Sequence, residues 1–276
     1  MTHTRAQVLG LLAAHGLRPS RALGQNFVAD ANTVRRISRL AGVGPCDRVV
    51  EIGAGLGSLT LALAETGASV TAIEVDRHLV PVLREVVEPV GVTVVEADAM
   101  RVDWAQLLGS GPPWVLVANL PYNVATPLVA DLLDDVPAIG RMLVMVQREV
   151  AERLAAGPGD EAYGAVSVKV AYWATASVAG RVPPAVFVPR PNVESALVSI
   201  VRRPAPAVDP RVVDPAWLFR LVRAGFATRR KMLRGALRGL VDPESFAAAG
   251  VDPAARAEQL GVEEWGRLAA CSPPPS

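Results

Sequence analysis

Cysteine and histidine are scarce in this sequence. The two cysteines, Cys46 and Cys271, stand alone without a CxxC pair, and the three histidines lack the spacing of metal ligands. Both facts argue against a structural or catalytic zinc site, so we predict no metal. Isolated cysteines also fit a reducing compartment better than a disulfide framework.

Long apolar runs and a strong net charge are absent too. Charge or proline interrupts every apolar run before the roughly 20 residues that a bilayer crossing needs, which argues against a membrane span. Thr4 and Gln7 are spaced as a helix capping box, so we interpret the N terminus as an amphipathic helix and expect a cytoplasmic protein. The net charge is only +1, so binding to nucleic acid requires a local basic patch.

The apolar content and the alternation of apolar runs with helix-length segments indicate a folded α/β protein. The 276 residues are 51% apolar, which excludes a disordered chain. From Arg48 onward, the apolar runs VVEIG, VTAIEVD, VTVVEAD and WVLVANLPYN alternate with segments of helical length. Such uniformly apolar strands are typical of a doubly wound, mostly parallel sheet covered by helices on both faces. RMLVMVQ and SALVSIVRR read as further strands, and Ala165 to Ala179 could be helix or strand.

A change of composition near Arg203 predicts two domains. Four prolines interrupt the stretch RRPAPAVDPRVVDP, and beyond it apolar residues from Trp217 to Leu240 keep helical spacing. We therefore predict a larger α/β domain over residues 1–203 and a small helical domain over 204–276. Within the first, residues 1–45 form a helical segment that contributes to the cofactor site.

Polar residues follow each of the four consecutive strands. They are Glu51, Glu74 with Asp76, Asp98 and Asn119, and parallel strands bring their carboxyl ends to one edge of a sheet. Gly53, Gly55 and Gly57 allow a tight turn and close approach of a ligand, with Glu74 at the spacing of a ribose ligand. Ser58 stands where a dinucleotide-binding loop has its third glycine, which disfavours a pyrophosphate. Four acids around the loop favour the sulfonium cofactor S-adenosylmethionine.

The tetrapeptide Asn119-Leu120-Pro121-Tyr122 resembles the signature of N6-adenine methyltransferases. That resemblance implies that the Asn119 amide oxygen and the adjoining main-chain carbonyl accept hydrogen bonds from the exocyclic amine of adenine. It also implies that Tyr122 stacks on the base. Acceptors that pull the amine nitrogen toward tetrahedral geometry localise its lone pair for attack on the sulfonium methyl, so positioning is the main contribution of the protein.

Further segments, taken in order, narrow the resemblance to the small-subunit (16S) ribosomal RNA adenine N6,N6-dimethyltransferases. These are LGQNF (23–27), VVEIGAG (49–55), Ile73-Glu74, DAM (98–100), NLPYN (119–123), QRE (147–149), VFVPRP (186–191) and FATRRK (226–231). The likeness covers residues 21 to 240. It implies a class I, seven-stranded, Rossmann-like methyltransferase fold with a helical C-terminal domain, and a product of two adjacent dimethylated adenines in a hairpin loop near the 3′ end of the RNA.

The same resemblance assigns roles to individual residues. Asn26 and Val28 contact the cofactor from the N-terminal segment, Glu74 holds its ribose and Asp98 its adenine amine. Valine at position 28, where the family commonly has leucine, is a mild departure. Phe187 is the second aromatic wall around the target base. The full set of expected cofactor-binding residues is Gln25, Asn26, Val28, Gly53, Gly55, Glu74, Asp98 and Asn119, and the catalytic set is Asn119, Leu120, Pro121, Tyr122 and Phe187.

A basic segment provides the local patch for RNA. No acid occurs between Asp214 and Asp242, whereas seven cations do: Arg220, Arg223, Arg229, Arg230, Lys231, Arg234 and Arg238. Arg230, Arg234 and Arg238 recur every four residues and predict one helical stripe that follows phosphates, although a solvated helix face has the same pattern. Arg18 and Arg21 are a second candidate contact.

Three alternatives stay open on the sequence alone. A macrolide-resistance type enzyme would methylate an adenine of the large subunit. A non-catalytic assembly factor could keep the fold, and a nicotinamide oxidoreductase could use the glycine loop. We expect the small-subunit enzyme, acting on a small-subunit assembly intermediate as a monomer.

Overall fold

The computed structural model describes residues 2–274. Within them the chain divides into two compact units. The first comprises the residues up to Ala151 together with Ser177–Val201, and the second comprises Glu152–Ala176 and the residues from Arg202 onward. The domain boundary predicted between residues 203 and 204 stays a prediction, and the segment 152–176 groups with the second unit. Among the described residues, no helix combines the length and apolar character that a bilayer crossing needs.

Residues 2–274 contain nine strands and twelve α-helices. The strands are β1 (Phe27–Val28), β2 (Arg48–Ile52), β3 (Ser69–Glu74), β4 (Thr93–Glu96), β5 (Trp114–Asn119), β6 (Ile139–Gln147), β7 (Ala174–Val182), β8 (Phe187–Val188) and β9 (Ser195–Arg202). The helices are α1 (Arg5–Ala14), α2 (Ala31–Ala41), α3 (Ser58–Ala64), α4 (Val80–Val87), α5 (Trp104–Leu108), α6 (Ala125–Asp135), α7 (Arg148–Ala155), α8 (Ala165–Trp173), α9 (Pro215–Ala227), α10 (Leu233–Ala236), α11 (Pro243–Ala249) and α12 (Val262–Cys271).

A seven-stranded sheet with the order β4-β3-β2-β5-β6-β9-β7 forms the centre of the fold. The pairs β3–β4, β2–β3, β2–β5 and β5–β6 are parallel, and β9 runs antiparallel to β6. This confirms the predicted mostly parallel α/β fold. Val49, Val50, Val117 and Leu116 are all fully buried although neighbours in a strand point to opposite faces, which is why these strands carry continuous apolar runs.

The N-terminal segment of the first unit begins with helix α1, as its capping sequence predicts. The predicted capping box is present, since the Thr4 N–H donates to Gln7 Oε1 at 2.8 Å and the Gln7 N–H donates to Thr4 Oγ1 at 3.4 Å. Helix α1 buries Val8 and Leu12, which lie one turn apart. Strand β1 then pairs antiparallel with β8, so that Phe27 lies opposite Val188 and Val28 opposite Phe187.

The second unit is helical and has its own apolar core. Asp214 caps α9 by accepting from the Ala216 N–H at 2.9 Å, and Pro215 occupies the first helical position. Trp217, Leu221 and Trp265 are buried in this core. The ambiguous stretch from Ala165 resolves into helix α8 followed by the start of strand β7.

The predicted stripe of Arg230, Arg234 and Arg238 on one continuous helix is wrong. Helix α9 ends at Ala227, and α10 covers only Leu233–Ala236. The helix breaks because backbone N–H groups at this point bond to a later segment and not to the preceding helical turn. The Leu233 N–H donates to the Ala255 carbonyl at 2.8 Å, and the Arg234 N–H donates to the Pro253 carbonyl at 3.0 Å.

Candidate active site

The carboxyl ends of β2, β3, β4 and β5 lie side by side, as the sequence predicts. In the strand register Ile52 lies opposite Ile73 and Ala118, and Glu74 lies opposite Glu96. Two adjoining pockets open at this edge, with volumes of about 70 and 210 Å3, and both are lined by Leu23, Gly53, Val75 and Pro121. The first also contacts Glu74, Asn119 and Tyr122, and the second contacts Asp98 and Met100.

The glycine loop after β2 adopts a backbone that favours glycine. Gly53, Gly55 and Gly57 have φ values of 72°, 58° and 83°. A Cβ on Gly55 would lie 2.9 Å from the Phe27 ring, and one on Gly57 would lie 2.8 Å from Val87 Cγ1. The loop therefore needs glycine both for its conformation and for the close packing of strand β1 and helix α4 around it.

Glu74 holds this loop against the end of β3. Its carboxylate accepts hydrogen bonds from the N–H groups of Gly55 at 2.7 Å, Val75 at 3.0 Å and Asp76 at 2.9 Å. Burial raises the pKa of Glu74, and these three backbone donors oppose the rise while the nearby Asp76 charge adds to it. Glu74 also lines the smaller pocket, and Oε2, which accepts only the Gly55 bond, keeps one acceptor site for a ligand hydroxyl.

Glu51 lies deeper beneath the loop and is almost completely buried. Burial raises the pKa of Glu51 to about 8, the Thr60 hydroxyl opposes the rise, and the charge of Glu74 adds to it. Among the described residues, Glu51 Oε2 has no hydrogen-bond partner. Beside the loop, Glu74 and Asp76 suit a ligand that carries positive charge and hydrogen-bond donors, which S-adenosylmethionine does and a pyrophosphate does not.

The N-terminal segment from Leu23 to Phe27 crosses the edge of the smaller pocket. Gln25 fixes this segment through both polar atoms of its side-chain amide. Nε2 donates to Asp76 Oδ2 at 2.8 Å, and Oε1 accepts from the Ser20 N–H at 2.7 Å. The cofactor contact of Gln25 stays a prediction. In the structure its side chain holds the N-terminal segment against Asp76. Val28 lies on buried β1 and lines a small pocket with Glu51 and Gly53.

The larger pocket combines one acid with apolar walls. Asp98 Oδ1 accepts from the Met100 N–H at 2.9 Å, which fixes the carboxylate at the start of the turn after β4. Leu23, Val75 and Met100 line the same pocket although each is 36 to 49% exposed. Exposed apolar side chains beside a carboxylate suit a flat heteroaromatic ring with an amine at its edge, such as adenine.

The tetrapeptide at the end of β5 is held by main-chain and side-chain hydrogen bonds. The Asn119 Nδ2 group donates to the Asn26 carbonyl at 2.9 Å, and the Leu120 N–H donates to the Met145 carbonyl at 3.0 Å. The Pro121 carbonyl accepts from the N–H groups of Val124, the residue before α6, at 3.2 Å and of Ala125, its first residue, at 3.1 Å. Asn119 Oδ1 and the Leu120 carbonyl take no part in these bonds, and both residues line the smaller pocket, so they are candidate acceptors for a ligand there.

The two predicted aromatic walls differ in exposure. Tyr122 lines the smaller pocket and is partly exposed, and its hydroxyl lies 2.8 Å from Ser195 Oγ. Phe187 is fully buried, pairs through β8 with β1 and belongs to the apolar core, so neither face of its ring is open. The role of Phe187 beside the target base stays a prediction. The Ser195 contact was not foreseen, because nothing in the local sequence links a serine in β9 with Tyr122.

The seven predicted RNA-binding cations lie in the second unit, and all are exposed. Arg229 is paired, since Nε donates to Glu258 Oε2 at 2.9 Å and Nη2 donates to the Glu161 carbonyl. Folding therefore brings an acid to a segment whose own sequence has none. Within the described residues, no cluster of three or more metal-ligating side chains occurs.

Comparisons with known proteins agree with this geometry. Residues 17–271 match the family described as Ribosomal RNA adenine dimethylase. The chain is 51% identical to the ribosomal RNA small subunit methyltransferase A of Kineococcus radiotolerans, covering 93% of this chain and 87% of that one, and 50% identical to that of Streptomyces coelicolor, covering 96% and 94%.

Solved structures show the same fold. The chain is similar to the 23S rRNA methyltransferase ErmE with a TM-score of 0.68 and 25% identity, over 89% of this chain and 99% of that one. It is similar to a dimethyladenosine transferase from Plasmodium falciparum with a TM-score of 0.70 and 22% identity, over 87% and 94%.

Proposed function

This chain belongs to the ribosomal RNA adenine dimethylase family, and we propose that it transfers methyl groups from S-adenosylmethionine to N6 of two adjacent adenosines in small-subunit ribosomal RNA. The proposed position is a hairpin loop near the 3′ end of the RNA. The observation that carries the proposal is the acceptor pair of Asn119 Oδ1 and the Leu120 carbonyl beside an acidic nucleoside pocket.

The cofactor, when bound, supplies an electrophilic methyl group on a sulfonium centre. In our proposal Glu74 accepts hydrogen bonds from the ribose, Asp98 accepts from the adenine amine, and Gly53, Asn26 and Val28 line the methionine end. Gly55 takes part through its N–H, which holds Glu74 in place. No metal is needed, because the electrophile already carries its activating charge.

The chemistry on the substrate side is positioning. Asn119 Oδ1 and the Leu120 carbonyl accept from the two hydrogens of N6, which turns the nitrogen lone pair toward the methyl group. Tyr122 stacks on the target adenine, a contact worth roughly 1 to 3 kcal/mol per base. The amine becomes acidic as the methyl group arrives, so solvent can take the proton and no strong base is required.

RNA binding is proposed for the exposed cations of the second unit. Six of them are exposed and present positive charge: Arg220, Arg223, Arg230, Lys231, Arg234 and Arg238. Arg229 differs, because it forms a salt bridge with Glu258 at 2.9 Å. Phosphate contacts of this kind position an RNA, and the loop bases that flip into the site supply specificity. We further propose that a small-subunit assembly intermediate is the substrate, in the cytoplasm, and that the protein acts as a monomer.

A large-subunit adenine is the second candidate substrate. The likeness to ErmE favours it, but that identity is 25%, against about 50% to relatives named for the small subunit. A non-catalytic assembly factor fits less well because Glu74, Asp98 and Asn119 are all present and line the pockets. The small-subunit activity therefore remains our conclusion.

The deciding experiment incubates the protein with labelled S-adenosylmethionine and under-methylated small subunits, under-methylated large subunits, or no RNA. Mass spectrometry of the nucleosides then identifies the product. We expect N6,N6-dimethyladenosine in the small subunit alone, and none with an Asn119→Ala variant. Dimethyladenosine in the large subunit would reverse the substrate assignment, and cofactor binding without any transfer would favour the assembly factor.

A further inference from the structure

Ser195 is the first residue of β9 and is fully buried. The residue lies opposite Gln147 in the β6–β9 register, so its backbone belongs to the rigid central sheet. Its hydroxyl lies 2.8 Å from the Tyr122 hydroxyl, and either oxygen can be the donor. The contact joins the tetrapeptide loop after β5 to a strand that is distant in sequence.

This contact fixes the second end of the Tyr122 side chain. The main chain of the loop is already fixed, because the Leu120 N–H binds the Met145 carbonyl and the Pro121 carbonyl binds the start of α6. The hydroxyl oxygen lies on the long axis of the tyrosine ring, so anchoring both this oxygen and Cα fixes the direction of that axis, which the first side-chain torsion sets. Burial raises the pKa of the Tyr122 hydroxyl, against the effect of the Ser195 hydrogen bond, so the group stays neutral and able to share a proton with serine.

We propose that Ser195 is a positioning residue that fixes the direction in which the Tyr122 ring extends from the loop, and so the place where the target adenine stacks. The proposal rests on the function proposed above for Tyr122 and adds a residue to it. A Tyr122 ring that swings away from this position would still let RNA bind through its phosphates. It would hold the adenine less often in line with the methyl group, which lowers the turnover number.

The test is a double-mutant cycle with Ser195→Ala, Tyr122→Phe and both together. We expect each single variant to lower kcat by about tenfold and to leave the KM for RNA and the Kd for S-adenosylmethionine within about twofold, because small displacements near the reacting atoms cost rate more than binding. Since both changes remove the same hydrogen bond, the double variant should be no slower than the single ones. Ser199→Ala, on the same strand, is the matched control and should keep wild-type kcat.

Two outcomes would overturn the inference. If Ser195→Ala and Tyr122→Phe keep wild-type kcat while Tyr122→Ala abolishes transfer, Tyr122 stacks without help from Ser195, and the proposed function stands. If the effects on kcat add in the double variant, Ser195 acts on stability and not through Tyr122. Should Ser195→Ala fail to fold, Tyr122→Phe alone tests the bond, because a wild-type kcat contradicts the proposal. If Tyr122→Ala transfers methyl groups at the wild-type rate, the stacking role proposed for Tyr122 is itself wrong.

Discussion

The Asn119 side-chain amide donates a hydrogen bond to the backbone carbonyl of Asn26 at 2.9 Å. This bond determines which atom of the amide points away from the N-terminal segment, because only Nδ2 can donate to a carbonyl. Asn119 lines the smaller pocket, so Oδ1 is the side-chain atom left as an acceptor for a ligand there. The segment proposed to hold the cofactor therefore also orients the group proposed to hold the substrate amine.

Asn119→Asp tests this orientation with an almost isosteric change. An aspartate has no donor for the Asn26 carbonyl, and the two oxygens repel each other at that distance. We expect methyl transfer to fall by about 100-fold, as when one transition-state hydrogen bond is lost, while RNA affinity changes little. Single-turnover rates and RNA titrations measure the two effects separately. A variant that methylates at the wild-type rate would show that the amide orientation is irrelevant.

Glu74→Ala should weaken S-adenosylmethionine binding by roughly 1.5 to 3 kcal/mol, the range for a hydrogen bond to a charged group. Because Glu74 also accepts from the Gly55, Val75 and Asp76 N–H groups, we expect a lower melting temperature as well. Calorimetric titration and thermal unfolding measure the two losses. Glu96→Ala, at the neighbouring and exposed strand end, is the control, and equal cofactor affinity for the Glu74 and Glu96 variants would reject the ribose role.

Gln25→Ala should loosen the segment that crosses the cofactor pocket. The change removes the 2.8 Å bond to Asp76 and the 2.7 Å bond from the Ser20 N–H. Each such bond contributes roughly 0.5 to 3 kcal/mol, so we expect cofactor dissociation to accelerate about tenfold with a smaller change in association. Stopped-flow measurements on Gln25→Ala and Asp76→Asn give the rates. Wild-type dissociation in both variants would mean that the segment does not retain the cofactor.

The framework of this fold could be predicted from sequence, whereas several contacts of the site could not. Strands such as β2 and β5 are long apolar runs because both of their faces are buried, so their composition alone reveals them. Strands β1 and β8 have two residues each, too few for any periodicity, and they form because the chain pairs them in space. The Gln25–Asp76 and Tyr122–Ser195 bonds likewise join residues 51 and 73 positions apart.

The break between α9 and α10 shows the limit of periodicity. Leu233, Leu237 and Leu240 keep helical spacing, and Leu233 and Leu237 are indeed buried. Yet hydrogen bonds from Leu233 and Arg234 to the chain around Pro253 replace a continuous helix. Spacing identifies which residues face the core, but it does not show that the backbone between them is one helix.

Arg230→Ala combined with Arg234→Ala should weaken RNA binding and its dependence on salt. Each lost phosphate contact lowers the slope of log affinity against log salt by about one, so we expect a change of about two. Arg211→Ala is the matched control, because Arg211 is equally exposed in the same unit but pairs with Asp209 at 2.6 Å. If the double variant and the control have the same salt slope as wild type, the basic segment does not contact phosphates.

Glu51 gives the cofactor-free protein a specific dependence of stability on pH. Its pKa is about 8 in the folded state and near the ordinary value of 4.5 when unfolded. Below pH 4.5 Glu51 is protonated in both the folded and the unfolded state, so its ionisation does not reduce the free energy of unfolding. As the pH rises toward 8, the unfolded state releases its proton first, so the free energy of unfolding falls by up to about 1.4 kcal/mol per pH unit.

Glu51→Gln should remove this part of the pH dependence, because glutamine imitates the neutral acid and does not titrate. Chemical denaturation of wild type and variant between pH 5 and 8 measures the difference in unfolding free energy. We expect that difference to grow with pH across this range in favour of the variant. A difference that stays constant with pH would mean that Glu51 is already ionised in the folded protein.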